Sequence, residues 1–368
     1  MFCIINVQSI PIHSISIKMK KLLSSDLDFK LTGFEVPETL RPYDEHRLLV
    51  YEKGVEGFKH IMFNDIAQVL RRGDLLVFNN SKVVHASIFI NSDKFLLFIE
   101  PQKKSLSNVR IICPFKPAVG DRFDIGGNIV VLNSHEPGWD VYRADILTHG
   151  KYETLGEFLK DHAKISMPIY LKRIPTNEDE ASLQNFYAKN PGSISTPVAG
   201  LHFSPELLIN LHENGIRSTE VTLHVGYGTF RSFKTEYVND HKMDSEWYFV
   251  SPDSLVEIKN AIKRQSRIIG VGTTSVRVLE TIAAIKELFE EVDLCEPVIG
   301  ETTIFMYPPY EFKLVSGLIT NFQYPRLPVL AMAAAFTGMD KIRELYNVSI
   351  KERYKYYTFG DAMLLLNK

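Results

Sequence analysis

Residues 267–280 read RIIGVGTTSVRVLE, and this stretch decides the class of fold. Its apolar start is typical of a buried strand, and Gly272-Thr273-Thr274 then form a turn that leads into a helix. Such a unit places helix N-terminal N–H groups at the carboxyl end of a strand, where α/β sheets bind ligands. No Gly-Lys-Ser/Thr follows and the third glycine of the dinucleotide fingerprint is absent, so neither nucleotide motif is present. The alternative interpretation is a plain capped helix, with Arg277 and Glu280 as a solvated pair.

Alternation of helix and strand continues on both sides of this stretch. SPELLINLHENG (204–215) predicts a helix with Ser204 as its N-cap and Gly215 as its stop, and SPDSLVEIKNAIKRQ (251–265) predicts another capped helix. STEVTLHVG (218–226) lies between them and is typical of a strand. This alternation predicts an α/β layer domain.

Residues 65–149 have a different character. Short β-rich runs such as DLLVFNN (74–80), KFLLFIE (94–100) and VYRADIL (141–147) are separated by turn signals, which favours a small barrel or sandwich. The predicted fold is therefore a large mixed α/β domain with an inserted small β-barrel domain. The predicted bounds are 24–64 plus 150–368 for the discontinuous α/β domain, 65–149 for the insert and 1–23 for a disordered extension.

Composition restricts the function classes. The 368 residues are 45% hydrophobic and 23% charged with a net charge of -2, as in a soluble globular protein without a global basic field. RNA binding would need convergence of local basic pairs, each of which is otherwise a solvated surface. The N-terminal apolar run is interrupted by polar residues and a proline, so we expect neither a signal peptide nor a membrane anchor, and a cytoplasmic location. Met19 is a second possible start. Nothing in the sequence requires an oligomer, so we expect a monomer. The basic pairs are Arg71-Arg72, Lys103-Lys104, Lys172-Arg173 and Lys263-Arg264.

The stretch TLHVGYGTF (222–230) contains the first candidate site. Gly226 and Gly228 leave the backbone bare at a strand end, which permits a tight turn or the approach of a ligand to main-chain N–H groups. Thr229 follows them, and His224 precedes them on the face of the strand that also carries Gly226. A lone strand histidine is more often a core residue than a catalyst.

Two further histidines are candidates. His202 precedes a helix start, where the dipole disfavours the cation and a neutral imidazole can act as a base or donor. HKMDSEWY (241–248) brings together His241, Asp244 and Glu246. No second ligand pair matches this cluster and the three cysteines lack CxxC spacing, so we predict no metal.

Several blocks, taken together and in this order, resemble the S-adenosylmethionine:tRNA ribosyltransferase-isomerase family of queuosine biosynthesis, from about Phe34 to the C-terminus. The resemblance implies S-adenosylmethionine as co-substrate, tRNA as partner and no metal. It implies transfer and rearrangement of the ribosyl part onto the aminomethyl group of a 7-deazaguanine at the tRNA wobble position. Adenine and methionine leave, and an epoxycyclopentanediol forms. The blocks include RRGDLLVFNNSKVV (71–84), FYAKNPGSISTPVAGLHF (186–203), EVTLHVGYGTF (220–230), HKMDSEWY (241–248), GVGTTSVRVLE (270–280) and YKYYTFGDAMLLL (354–366).

The positions that match the family supply the candidate residues. The sulfonium acidifies the adjacent 5′ carbon, so a positioned base, His202 or His224, would remove a proton there. Arg277 would hold the methionine carboxylate or a tRNA phosphate. The catalytic candidates are His202, His224, His241 and Glu246, and the candidates for binding S-adenosylmethionine are Gly226, Gly228, Thr229, Thr273, Thr274, Arg277, Asn321 and Asp361.

The chain also departs from the family at polar positions. Asn80 and Ser81 stand where the family has aspartate and threonine, and Lys82 and Ser87 stand where it has arginines. Lysine lacks the forked geometry of arginine. Asp244 and Gln323 stand where it has histidines, which removes two groups that titrate near neutrality. These changes leave two alternatives open: a paralogue that acts on a different, non-tRNA acceptor, and a noncatalytic RNA-binding protein.

Overall fold

The computed structural model describes residues 5–7, 21–29, 31–136, 140–285 and 295–367. The chain forms two compact units. The large unit comprises Met1–Ser81, Asn185–Asn190 and Pro197–Lys368, and the small unit comprises Lys82–Gln184 and Pro191–Thr196. Within the described residues, no helix combines the length and the apolarity needed to cross a bilayer.

The secondary structure of the described residues alternates as the sequence predicts. The strands are β1 (Ile5–Val7), β2 (Arg47–Glu52), β3 (Lys59–Met62), β4 (Leu75–Asn79), β5 (Ser81–Val83), β6 (Ser87–Phe89), β7 (Phe95–Phe98), β8 (Val109–Ile112), β9 (Arg122–Ile125), β10 (Asn128–His135), β11 (Val141–Leu147), β12 (Asn190–Ser193), β13 (Arg217–Leu223), β14 (Glu246–Val250), β15 (Ile268–Val271), β16 (Val298–Thr302), β17 (Gly317–Asn321) and β18 (Ala362–Leu366). The α-helices are α1 (Leu155–His162), α2 (Asn177–Ser182), α3 (Pro205–Glu213), α4 (Pro252–Lys263), α5 (Thr273–Ile282), α6 (Pro328–Thr337) and α7 (Met339–Lys351).

The large unit is built on a ten-stranded mixed sheet with the order β1-β16-β14-β13-β4-β15-β17-β18-β2-β3. Its centre is a parallel run of four strands, β13-β4-β15-β17. Every residue of β4 is buried, as expected for a central parallel strand that is covered on both faces. The mixed α/β prediction is confirmed for this unit.

Helices pack on the sheet where the sequence punctuates the chain. The Ser204 hydroxyl accepts from the Leu207 amide at the start of α3, and the Ser251 hydroxyl accepts from the Ser254 amide at the start of α4. Leu207 and Leu211 of α3 join Phe78 of β4 in the main core. The predicted caps therefore orient the helices that cover the central strands.

The small unit contains a six-stranded antiparallel sheet with the order β6-β7-β8-β11-β10-β9. Its core includes Leu155, Phe158 and Leu159 of α1. The β-rich character is confirmed, but the described strands end on β6 and β9 and a closed small barrel is not confirmed.

Three details differ from the sequence expectation. The strand predicted from DLLVFNN as part of the insert is β4 at the centre of the large sheet, because its continuous apolar run suits burial on both faces. Helix α1 lies within the range 150–368 that was predicted for the α/β domain, but it belongs to the core of the small unit. Most of the extension 1–23 lies outside the described residues, although β1 pairs with β16 and Leu23 bridges Tyr237, so these places depart from the predicted disorder.

Candidate active site

Polar residues from distant parts of the chain meet at one edge of the large sheet. β4, β13, β15 and β17 are parallel, and Asn79, His224, Gly272 and Asn321 lie at or just beyond their carboxyl ends. β2, β14 and β18 run in the opposite direction, so their first residues lie at the same edge. This carboxyl edge is the usual ligand-binding side of an α/β sheet.

Asn79 fixes the centre of this edge. Its amide nitrogen donates to the Leu223 carbonyl at 3.0 Å and to the Thr274 hydroxyl at 3.0 Å. Its amide oxygen accepts from the backbone N–H groups of Leu223 at 3.0 Å and Ser81 at 3.1 Å. One buried side chain therefore ties together the ends of β4 and β13 and the first turn of α5.

His224 follows β13 and is half-buried. Its ring stacks on the Trp247 indole with centroids 4.7 Å apart, and its Nδ1 lies 2.8 Å from the Ser81 hydroxyl. Burial lowers the pKa of His224 to about 4, so the ring is neutral at physiological pH. A neutral, positioned imidazole at a ligand-binding edge is suited to act as a base.

Glu246 is the first residue of β14. Its carboxylate accepts from the Gly226 amide at 2.6 Å and forms an ion pair with Arg277. Both charged side chains are 3% exposed, and Arg277 also donates to the Thr302 carbonyl at 3.1 Å. The buried Glu246 carboxylate thus connects the backbone at Gly226 to α5 through Arg277.

The two glycines of the loop allow close approach of the segment that precedes β14. A Cβ on Gly228 would lie 2.7 Å from an Asp244 carboxylate oxygen, and one on Gly226 would lie 3.3 Å from Glu246. Asp244 in turn lies 3.5 Å from the guanidinium of the buried Arg231. The glycines make room for these carboxylates.

His241 directly follows the 3₁₀ turn Val238–Asp240, and Thr229 lies in a separate turn. The His241 ring lies between Phe233 and Phe305, with centroids at 5.0 and 5.3 Å. Burial and the nearby Arg231 lower its pKa, and its Nε2 has no hydrogen-bond partner among the described residues. Thr229 belongs to a 3₁₀ turn, Tyr227–Phe230.

His202 occupies a second cluster at the same edge and is only 2% exposed. Its Nδ1 lies 3.0 Å from Nδ1 of His46, its Nε2 lies 3.2 Å from the Asn321 amide oxygen, and its ring stacks on Phe63. Burial and the adjacent His46 hold the pKa of His202 well below its usual range. The His202 ring is thus enclosed by its neighbours in this structure.

The hydrogen bonds of His202 and His46 can be compared with the protons that the two rings carry. His46 Nε2 lies 3.2 Å from the Arg41 carbonyl, so the two rings link two acceptors, that carbonyl and the Asn321 amide oxygen, through three contacts. Two neutral imidazoles carry one N–H each, which is one fewer than the three contacts need. The neutral pair is therefore one proton short, and burial disfavours the uptake of that proton by either ring.

Asp361, Thr273 and Thr274 also lie at this edge and are buried. Asp361 accepts from Arg41 at 2.6 Å and from the backbone N–H groups of Arg47 and Lys355. The N-cap of α5, Gly272, has a φ of 87°, which favours glycine, and Thr273 begins the helix. The edge thus brings together every predicted site residue, in the His224 cluster, the His202 cluster or the loops around them.

The solvated pair considered for Arg277 and Glu280 is wrong. Glu280 is 1% exposed and accepts from the Tyr310 hydroxyl and from the backbone N–H groups of Leu314 and Val315. Arg277 faces Glu246 instead. Apolar packing on α5 buries both charges, and each then needs its own internal partner.

One departure from the family resemblance has a structural reason. Asn80, where the family shows aspartate, donates from its amide to Glu220 at 2.9 Å and accepts from the Thr222 hydroxyl at 2.7 Å. An ionised aspartate cannot donate and would face the Glu220 carboxylate. The amide is therefore matched to Glu220 in this chain.

Two of the basic pairs lie beside each other, but away from the candidate site. Arg71-Arg72 precedes β4 and Lys263-Arg264 ends α4, so both lie at the amino edge of the central strands. Arg71 pairs with Glu52 and Arg264 with Glu257. Among the described residues, no cluster of histidine, cysteine and carboxylate side chains could hold a metal ion.

Sequence reasoning did not select Ser81, His46 or Trp247 as site residues. Polar residues directly after the buried run of β4, and His46 directly before the apolar run of β2, are the signals that could have indicated two of them. Trp247 is found only from the pairing of β14 with β13, because it touches His224 across the sheet.

Comparison with known proteins gives a consistent result. A family model described as queuosine biosynthesis protein matches residues 24–365. S-adenosylmethionine:tRNA ribosyltransferase-isomerase of Thermotoga petrophila is 36% identical over 93% of this chain and 99% of its own length. The enzyme of that name from Legionella pneumophila strain Corby is 36% identical over 88% of this chain and 93% of its own. The crystal structure of S-adenosylmethionine tRNA ribosyltransferase from Thermotoga maritima is similar with a TM-score of 0.52 and 28% identity, covering 93% of this chain and all of that one.

Proposed function

The chain belongs to the queuosine biosynthesis protein family, and on that premise we propose that it is an S-adenosylmethionine:tRNA ribosyltransferase-isomerase. The reaction transfers and isomerises the ribosyl moiety of S-adenosylmethionine onto 7-aminomethyl-7-deazaguanine in tRNA and releases adenine and methionine. The product is epoxyqueuosine-tRNA. The observation that carries the proposal is the chain of contacts from Asn79 through Ser81 to His224 at the ligand-binding edge of the sheet.

The site suits a sulfonium substrate. The low pKa of His224 keeps the ring neutral, and a neutral ring does not repel the cationic sulfur as an imidazolium would. The sulfonium acidifies the 5′ carbon beside it, and His224 accepts a proton from that carbon. The exposed part of the Trp247 indole offers an apolar surface to the purine or ribose.

The other residues shape the pocket. In this proposal the loop 226–229 lines the pocket. The Gly226 N–H donates to Glu246, and the absence of side chains at Gly226 and Gly228 leaves room for the carboxylates of Glu246 and Asp244. Thr273 and Thr274 place hydroxyls at the first turn of α5, a helix end that favours electronegative groups. Arg277 is engaged by Glu246, so it maintains the shape of the site in place of holding a substrate anion.

The test is adenine release from S-adenosylmethionine, followed by chromatography. One reaction contains tRNA with 7-aminomethyl-7-deazaguanine at the wobble position, and its control contains the same tRNA without that base. We expect release only with the modified tRNA, together with a mass increase of the tRNA. Equal release with both tRNAs would point to a different acceptor, and binding of S-adenosylmethionine without release under either condition would contradict the proposal.

A further inference from the structure

The Ser81 hydroxyl lies 2.8 Å from Nδ1 of His224. A neutral imidazole carries one N–H, and the partner of one nitrogen decides which nitrogen keeps the proton. The Ser81 hydroxyl can accept from Nδ1–H or donate to a bare Nδ1, so the direction of this hydrogen bond is coupled to which nitrogen of His224 is free to act as a base.

The sheet holds these two side chains in register. Ser81 is fully buried, and its N–H donates to the Asn79 amide oxygen at 3.1 Å. Leu223, which precedes His224, is bonded to the same Asn79 side chain through both its N–H and its carbonyl. One asparagine thus fixes the backbone on both sides of the contact between serine and histidine.

The ring is also fixed against rotation. The Trp247 indole stacks on one face at an interplanar angle of 19°. The backbone N–H of His224 donates to the Trp247 carbonyl at 3.0 Å, which holds the two residues side by side. With Nδ1 turned to Ser81, the ring presents Nε2 away from that contact. A catalytic group works best when packing and hydrogen bonds lock its orientation in this way.

We propose that Ser81 is a positioning residue that accepts a hydrogen bond from Nδ1–H of His224 and leaves the Nε2 lone pair as the base. This rests on the proposed function, in which His224 removes the proton from the 5′ carbon. The proton moves from that carbon to Nε2, and the electron pair of the C–H bond stays on the carbon beside the sulfonium. The resulting imidazolium keeps its Nδ1–H bond to Ser81, so one arrangement fits the ring before and after the transfer.

The first test is spectroscopic and needs no turnover. Protein with ¹⁵N-labelled histidine is measured by long-range ¹H–¹⁵N correlation, with the His224 signals assigned by their absence in His224→Gln. We expect Nδ1 to carry the proton in the wild type at pH 7, this preference to be lost in Ser81→Ala, and Ser81→Thr to restore it. A wild-type ring protonated at Nε2 would overturn the proposal.

The second test is kinetic and uses the same variants. Ser81→Ala should lower the single-turnover rate of adenine release by about 10-fold to 100-fold, since the wrong tautomer must first be corrected. The Kd for S-adenosylmethionine should stay within about 2-fold, because Ser81 acts through His224. Ser81→Thr, which keeps the hydroxyl and is the residue of the family, should recover the rate.

The outcomes separate the two proposals. If His224→Gln loses adenine release and Ser81→Ala keeps the wild-type rate, the positioning role is overturned while His224 stands as the base. If His224→Gln keeps the wild-type rate, the assignment of the base fails, and the tautomer measured by NMR still decides whether Ser81 orients the ring.

Discussion

Two histidines lie at the same edge of the same sheet, yet their surroundings differ, and we propose different roles for them. His224 is half-buried, with Trp247 on one face and Ser81 at Nδ1. His202 is enclosed by Phe63, His46 and Asn321 and is 2% exposed. Burial lowers the pKa of both, but only His224 combines a neutral ring with access to the edge. The difference shows that a perturbed pKa identifies a catalytic histidine only together with a path to the substrate.

The largest effect on stability is expected beside His224, at the buried ion pair. Glu246→Gln leaves the Arg277 charge uncompensated and should lower the free energy of unfolding by about 3 to 5 kcal/mol. The measurement is urea denaturation followed by circular dichroism. The double variant Glu246→Gln with Arg277→Met keeps the same change at position 246 and removes the uncompensated charge, so it is the matched control, which should regain part of the loss. Equal losses in the single and double variants would show that the charge balance at this position does not matter.

His202→Ala should be the next largest change, and it should act on stability. It removes a buried ring and leaves His46 and Asn321 without a partner, so we expect a loss of about 3 kcal/mol. Urea denaturation measures the loss. Adenine release is then measured without urea, at a temperature where the variant is folded. His202→Phe keeps the stack on Phe63 and separates ring packing from hydrogen bonding. A fully folded His202 variant without activity would break the distinction between the two histidines.

The pH dependence of stability is the smallest effect when it is measured as the change in kcal/mol per pH unit. Burial, followed by the charge of Arg41, lowers the pKa of His46 from 6.5 to about 4, and burial also lowers that of His202. Between these pH values the unfolded chain binds protons that the folded chain excludes, so the stability falls as the pH falls from 6.5 to about 4. Each group contributes a slope of about 1 kcal/mol per pH unit.

The slope is measured by urea denaturation at several pH values. In His202→Phe one of these groups is gone, so the slope should be smaller by the share of one histidine. An unchanged slope in that variant would mean that His202 accepts a proton in the folded state.

The sequence predicted much of the fold because its signals are local. Ser204 and Ser251 begin helices, and the apolar run before Gly272 forms a central strand. The place of β4 in the large sheet was missed, because its continuous apolar run indicates burial on both faces but does not show which distant strands it pairs with. The closed barrel was predicted from strand spacing, which indicates a β-rich unit but does not determine closure.

The sequence was sufficient to select candidate site residues, but it did not show which contacts each of them makes or which role each contact favours. Sequence patterns and the family resemblance selected His202, His224 and Glu246 together. The enclosure of His202 depends on His46, and the engagement of Glu246 depends on Arg277, in each case a contact between distant segments. Ser81 gained a role only through its distance from His224.

The most direct test of the account compares His224→Gln with His202→Gln in one experiment. Each folded variant is saturated with S-adenosylmethionine and tRNA that carries 7-aminomethyl-7-deazaguanine, and adenine release is followed in a single turnover. The account predicts that His224→Gln loses about 10²-fold to 10⁴-fold in rate with the Kd for S-adenosylmethionine retained, whereas folded His202→Gln stays within about 5-fold of the wild type. A wild-type rate in His224→Gln, or the larger loss in His202→Gln, would contradict it.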